Sequence, residues 1–459
     1  MRDKIAIFTT FSYYDPAYSL ERVAESQIKQ LVKNNYKVVT IASEGFTGGG
    51  EFDKTEIRHL PSVPLSNDAI LPSFEEDVTT LSVKLPDLMR DIRIAFTHDI
   101  FFQFASVPYN EALRRYLKQE KDVFLLNWIH SVPSKPPEFL KYPEDCRFKR
   151  IPNSYMIYPN EWDRLRVAKM YGVEFDDVKV VHHPIDIAEF LKLEPETCEF
   201  AEKYDLYNAD IITVYPLRLD RGKQPEKVIQ IMAALKNRGL KVKCIIVDFH
   251  STGGDKITLR EECKEWAKRT GLSEDLIWTS EFKEEFKTSC PYSFVSDLMR
   301  LATIFIMPSR SETFSLITEE AAMAKNLLVL NQDFPPMRDI YGTAPLYFQF
   351  GSNVNVLNRD FGSVESDFSP SYAQSIAASI QYHIRNDHAL NTHIRVRKNY
   401  HLDRVFTDEL EPIIASICRT DLLKNDLTKP EQPQNEEVKK CDIEIKPFED
   451  KIFSEPILI

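Results

Sequence analysis

Two glutamates stand eight positions apart in "PSRSETFSLITEEAAMA", Glu312 and Glu320. A short apolar run, Ile304 to Met307, precedes the first, and an alanine-rich stretch holds the second. A carboxylate at a helix start is favoured by the free amides there, so Glu312 has an ordinary structural reading. Glu320 fits that reading less well. It is flanked by Ala321, Ala322 and Ala324, where close packing is expected and an ionised carboxylate needs donors. The paired hydroxyls of a sugar or a ribose supply them. The spacing does not make the two an acid/base dyad, because their separation depends on where turn gives way to helix.

Arg218 and Lys223 follow the apolar run "ITVYPL". An arginine and a lysine five residues later can reach one anion at a following helix start. The arginine offers a fork, the lysine a point charge and the helix its free amides. Two solvated cations on a loop are the alternative. His130 ends "VFLLNWI" and His98 ends "IRIAFT", with Asp99 beside it. A single strand-end histidine is ordinarily structural, whereas two on one rim tilt the reading toward a ligand. Glu281 follows "IWTS", and Asp248 to His250 follow "CIIV". Neither a GxGxxG after the first strand nor a Walker sequence occurs, and "GFTGGG" lacks the strand-to-helix context of a phosphate loop. A Gly-x-Ser-x-Gly elbow and zinc spacings are also absent, and no metal is expected.

The elements that must carry these residues alternate. "KIAIFTT", "YKVVTIAS", "IRIAFTH", "VFLLNWIH" and "SYMIYPN" read as buried strands; "SLERVAESQIKQLVKNN" and "YNEALRRYLKQE" read as amphipathic helices. The segment "GFTGGGEFDKTEIRHLPSVPLSND" reads as loop. The rhythm restarts near residue 210 with "DIITVYPLR", "PEKVIQIMAALKNRG" and "KVKCIIVDF". Strand–helix–strand alternation implies parallel sheets with crossover helices, and hence an α/β protein of two doubly wound, Rossmann-like domains facing across a cleft. The expected division is 1–190 for an N-terminal acceptor domain and 191–385 for a C-terminal donor domain. C-terminal helices over 386–419 can pack back on the first domain, and a charged, mobile tail fills 420–459. Ligands of open parallel sheets bind outside the carboxyl ends of the strands, which is where the candidates above lie, apart from Glu320 in the helix that follows.

The chain has 459 residues, 43% apolar and 28% charged, which suits a soluble globular protein of two or three domains. A net charge of -12 argues against general nucleic-acid binding. Seven cysteines without paired spacing fit reduced thiols in the cytoplasm. No signal-peptide pattern or bilayer-length apolar segment is present.

"PSRSETFSLITEEAAMAKNLLVL" resembles the E-x7-E region of retaining glycosyltransferases with the GT-B fold, in particular family four. "YPLRLDRGKQPEKVIQIMAAL" is similar to that family's donor-phosphate segment. "NEWDRLRVAKMYGVEFDDVKVVHHPIDIAEF" resembles the segment before its interdomain linker, and "LLNWIHS" the strand bearing its sugar-contacting histidine. These stretches cover about 120–345 in the right order. The resemblance implies that Arg218 and Lys223 hold the donor diphosphate, that Glu312 and His130 contact the transferred sugar, and that Glu320 takes the ribose hydroxyls. Phe314, Ser315, Leu316 and Glu281 would complete the nucleotide site. The implied reaction moves a sugar, with retained configuration, from a donor such as a UDP- or GDP-sugar to a hydroxyl, without a separate cofactor. The acceptor stays open among glycan, lipid, protein and hydroxymethylated DNA base. An epimerase or phosphorylase of the same fold, or a silent sugar-nucleotide-binding protein, are the alternatives.

The sequence departs from the pattern in its glycines. Ser315, Lys325 and Leu217 stand where the family has glycine, His183-Pro184 replaces Asn-Gly or Asn-Pro, and "TTFSYYDPAYS" replaces the glycine-rich loop after the first strand.

Overall fold

A computed structural model of the chain describes residues 3–248, 256–312, 314–355 and 360–426. His250 and residues 427–459 of the expected tail therefore lie outside the described residues. The chain divides into a unit of Met1–Ile414 and a second of Ala415–Ile459. The helix Glu411–Asp426 occupies residues 420–426, where the sequence reading has a tail without structure.

Within Met1–Ile414, two parallel sheets form two lobes. The first has seven strands: β1 (Lys4–Phe8), β2 (Lys37–Ser43), β3 (Glu56–Leu60), β4 (Ile92–His98), β5 (Phe124–Trp128), β6 (Ser154–Tyr158) and β7 (Val178–Val180). Their order is β3-β2-β1-β4-β5-β6-β7. The second has six: β8 (Ile211–Tyr215), β9 (Val242–Ile246), β10 (Leu276–Trp278), β11 (Ile304–Met307), β12 (Leu327–Asn331) and β13 (Leu346–Phe348), in the order β10-β9-β8-β11-β12-β13. In each sheet the order reverses once, between β1 and β4 and between β8 and β11. A crevice opens at such a reversal, outside the carboxyl ends of the two strands that diverge there.

The central strands are short and apolar because both faces are covered. "IITVY" of β8 and "IFIM" of β11 are buried at every position, as parallel strands under helices require. Each lobe has its own core, one drawn from residues 6–178 and the other from 187–394. The helix Pro370–Asn386 belongs to the second core through Ile376, Ala377 and Ile380, and Arg238 reaches it through a 2.7 Å hydrogen bond to Gln381.

The chain after this helix returns to the first lobe. Ile185 N donates to Tyr400 O at 2.7 Å, Gln30 reaches Leu402 O, and Tyr36 meets Phe406 edge to face. His182 is bound by Glu409 through both its backbone N and its Nδ1, each at 2.8 Å.

The glycine-rich segment expected to be loop is only partly so. Its second half forms β3, an edge strand with a single neighbour. "EIRHL" reads as polar because an edge strand keeps one side to solvent, and Arg58 is held there by Asp91 through two hydrogen bonds of 2.7 and 3.0 Å. Its glycines admit close neighbours: a Cβ on Gly50, at φ +55°, would lie 1.8 Å from Glu25 Oε1.

Candidate active site at the reversal of the second sheet

Two loops leave the sheet where its order reverses. One follows β8 and carries Arg218 to Gln224; the other follows β11 and carries Pro308 to Ser315. They are joined through the backbone, Arg310 N donating to Gly222 O at 2.8 Å. Gln224 caps the junction from a left-handed conformation (φ 52°), its Nε2 donating to Pro308 O and, at 3.0 Å, to Phe350 O. Asn331, at the end of β12, donates to Ser309 O at 2.9 Å and Gly351 O at 2.7 Å. Its Oδ1 accepts from the backbone of Asp333 and Phe350.

This frame brings Lys223 against Glu312. Lys223 Nζ donates to Glu312 Oε1, and the two side chains are 14% and 15% exposed. The lysine is fixed along its backbone as well: its N donates to Asp220 Oδ1 at 3.1 Å, and its O accepts from Tyr215 OH at 2.9 Å. Neighbouring Arg221 is tied to Glu262. Arg218 is exposed at the start of the same loop. The expected cation and the first expected carboxylate thus meet at the crevice, joined as an ion pair across 89 positions of chain.

Glu320 lies one turn into the helix Leu316–Met323 and accepts from Tyr292 OH at 3.1 Å. A cavity of about 500 Å³ opens beside it, lined among others by Tyr292, Ser296, Leu316, Glu319, Glu320 and Met323. Leu316 is exposed, as is Phe314. Ser315, where the resembled family has glycine, keeps a glycine-like backbone at φ 70°. Its hydroxyl is satisfied by Thr318 Oγ1 at 2.8 Å and by Met307 Sδ at 3.2 Å, which ties the helix start to the end of β11. Lys325, another position where the resembled family has glycine, also has a left-handed backbone at φ 63°.

Glu281 joins a different group. It accepts from Arg260 at 2.8 Å and pairs with Lys264 at 3.2 Å, beyond β10. Buried Asp248 is held by Ser280, through N at 3.0 Å and Oγ at 2.7 Å.

His130 belongs to the first lobe. Asp99, at φ 54°, accepts from His130 N at 2.8 Å and from Ser131 Oγ at 2.9 Å, and burial raises its carboxyl above the usual range. His98 Nδ1 lies 3.0 Å from His130 Nε2. The His183 ring lies parallel to that of His130 within 13°, centroids 5.1 Å apart. Burial holds His98 well below the ordinary histidine range and lowers His130 and His183 to about 4. His182, paired with Glu409, is raised instead. His183 was missed as a partner of His130, although "VVHHPID" shows the pair of histidines. Gln224 and Asn331 were missed too; the available signals were the strand-end position of Asn331 and the place of Gln224 directly before the helix that starts at Pro225.

A second cavity, of about 550 Å³, lies between the helix Ser19–Lys33, the Gly50–Glu51 turn and the linker. Arg22, Glu25, Lys29, Glu51, Asp186 and Glu189 line it. Lys29 is paired with Asp186, and Tyr14 OH donates to Glu25 at 3.0 Å.

Among solved structures, the chain is similar to a glycosyltransferase from Rickettsia africae ESF-5, at 15% identity over 94% of this chain and 100% of that one, with a TM-score of 0.34. A sucrose-phosphate synthase from Thermosynechococcus elongatus shows 14% identity over 93% and 99%, with a TM-score of 0.31. A D-inositol 3-phosphate glycosyltransferase 1 from Catenulispora acidiphila is 26% identical over 157 residues, 34% of this chain and 35% of that protein. A D-inositol 3-phosphate glycosyltransferase from Streptomyces bingchenggensis is 23% identical over 168 residues, 36% of this chain and 35% of that protein. The chain thus spans about a third of the length of the curated relatives it matches. Residues 197–345, which carry Arg218, Lys223, Glu281, Glu312 and Glu320, match the family model of glycosyl transferases group 1.

Proposed function

We propose that the protein is a retaining glycosyltransferase that takes a nucleotide-diphosphate sugar, such as a UDP- or GDP-sugar, as donor and a hydroxyl as acceptor. The observation that carries this reading is the Lys223–Glu312 pair at the reversal of the second sheet, inside the segment that matches glycosyl transferases group 1. A donor phosphate displaces Glu312 from the ammonium. The lysine then neutralises the departing diphosphate together with Arg218, and the released carboxylate faces the sugar. Glu320 takes the ribose hydroxyls in exchange for the Tyr292 hydroxyl it now accepts, with Phe314, Ser315 and Leu316 at the helix start beside the nucleotide. Glu281 serves at its margin, and His130 meets the sugar from the first lobe.

In the reaction the bond from the anomeric carbon to the phosphate oxygen breaks and the diphosphate leaves with the electron pair. The acceptor oxygen bonds to that carbon, and its proton passes to the leaving phosphate. Charge placed in advance on the leaving group supplies the stabilisation, and the donor substrate is the only nucleotide the reaction needs. The domain division proposed is 1–190 for the acceptor and 191–385 for the donor. The first-lobe cavity suits the acceptor. It is lined by four carboxylates, Glu25, Glu51, Asp186 and Glu189, against the two cations Arg22 and Lys29. That balance disfavours a phosphate-rich acceptor such as DNA and suits a neutral, hydroxylated one. A reducing, cytoplasmic setting agrees with the cysteine spacing.

The test is a screen of nucleotide sugars for binding and for release of the nucleotide diphosphate. One donor is expected to bind and turn over. Binding without turnover reduces the protein to a sugar-nucleotide binder, and binding of none removes the assignment.

A further inference from the structure

His98, on β4, has its Nε2 buried with no hydrogen-bond partner among the described residues. Its other nitrogen, Nδ1, is 3.0 Å from His130 Nε2. The two rings are within 25° of parallel, with centroids 5.2 Å apart. That separation is what two imidazoles laid edge to edge across a 3.0 Å N–N contact produce, so the contact is an in-plane N–H···N hydrogen bond. Trp128 lies against His98 on one side, within 26° of parallel, and His183 continues the row beyond His130. Four rings, from β4, β5, the chain just after β5 and the chain after β7, thus follow one another with no more than 26° between neighbours.

One proton lies between His98 and His130, and its owner decides the tautomer of both. If His130 Nε2 were the donor, His98 would carry its own proton on Nε2, as a buried N–H with no acceptor. If His98 Nδ1 is the donor, its Nε2 keeps only a lone pair. Buried orphan N–H groups are rare, while an under-used acceptor is tolerated more often.

We infer that His98 is a positioning residue that fixes His130 with its proton on Nδ1, making His130 an obligate hydrogen-bond donor to a ligand oxygen and not a base. The groups facing this pair are Trp128, His183, and Asp99, whose carboxylate is already occupied by His130 N and Ser131. Beyond His183 stands His182 with Glu409. A neutral, donor-only imidazole recognises a hydroxyl or carbonyl oxygen. This assignment stands whether or not the donor reading of the second lobe does.

Long-range nitrogen–proton correlation spectra of the full chain, labelled with 15N-histidine, read the tautomers directly. Signals are assigned by loss in His130→Gln and His98→Phe. The expected result at neutral pH is a protonated Nδ1 and a bare Nε2 on both His98 and His130. In His98→Phe, which keeps a ring in the row, the His130 proton is expected to move to Nε2, the tautomer favoured by an unrestrained neutral histidine side chain. Protonated Nε2 on His130 in the parent protein, or an unchanged His130 tautomer in a folded His98→Phe protein, overturns the inference. The backbone spectrum of each variant reports whether it is folded; if His98→Phe is not, the parent spectrum alone decides.

Discussion

At the scale of single residues, the two glutamates that share one short stretch separate into different tasks. Glu312 holds the ammonium of Lys223, while Glu320 accepts from a tyrosine hydroxyl at the edge of a cavity. A carboxylate that binds donor hydroxyls equally in ground and transition states affects KM, whereas one next to the reacting sugar affects kcat. Glu320→Ala is therefore expected to raise the donor KM roughly 10- to 100-fold, the worth of charged hydrogen bonds, with kcat much less changed. Glu312→Gln is expected to lower kcat. Steady-state kinetics with one donor separates the two. The residue types were legible in the sequence, because strand-end carboxylates and cations are few. Their pairing was not: Lys223 and Glu312 are 89 positions apart, and only the reversal of strand order makes them neighbours.

At the scale of elements, two of the three positions where glycine is replaced, Ser315 and Lys325, keep a left-handed backbone. The helix Leu316–Met323 ends with Lys325 N bonded to Ala322 O at 2.9 Å and Asn326 N bonded to Ala321 O at 3.0 Å, a Schellman ending in which the left-handed position favours glycine. Lys325 occupies that position at φ 63°. Lys325→Gly should therefore stabilise the fold by about 1 kcal/mol, read as a small rise in Tm. Asn331 has the opposite sign. It ties Ser309 O, Gly351 O and Phe350 N together, and Asn331→Ala leaves those groups without partners. A loss of roughly 2–3 kcal/mol is expected, with a fall in Tm and looser donor binding. Buried strands of the second sheet were legible from apolar runs such as "IFIM", and β3 was not, because an edge strand carries no such run. The frame of side-chain amides around the crevice was hidden too, since the bonds that Gln224 and Asn331 make reach residues far away in the chain.

At the scale of the whole molecule, each core carries its own polar cluster, a row of histidines on the first lobe and an ion pair on the second. The histidines couple folding to pH. His130 and His183 stay neutral down to about 4 when folded, against an ordinary value near 6.5. As pH falls from 6.5 to 4 the unfolded chain binds protons that the folded one refuses, and stability drops. At 1.36 kcal/mol per pH unit, each imidazole is worth roughly 3 kcal/mol over that window. His182 acts the other way, because Glu409 raises it; its contribution is complete in acid and lost as pH rises through its folded value. Tm measured from pH 7 to pH 4 should fall, and His183→Asn should make that fall shallower. An equal slope in the variant contradicts the assignment of the pH dependence to this row.

The central claim is that Lys223 carries the leaving-group charge of a sugar donor. Its most direct test is the release of nucleotide diphosphate from the identified donor by the parent protein and by Lys223→Met, with Tm measured alongside. A loss of at least about 100-fold in kcat is expected, with a lowered Tm because Glu312 loses its cation but with the variant still folded at the assay temperature. Undiminished turnover in the folded variant would contradict the claim.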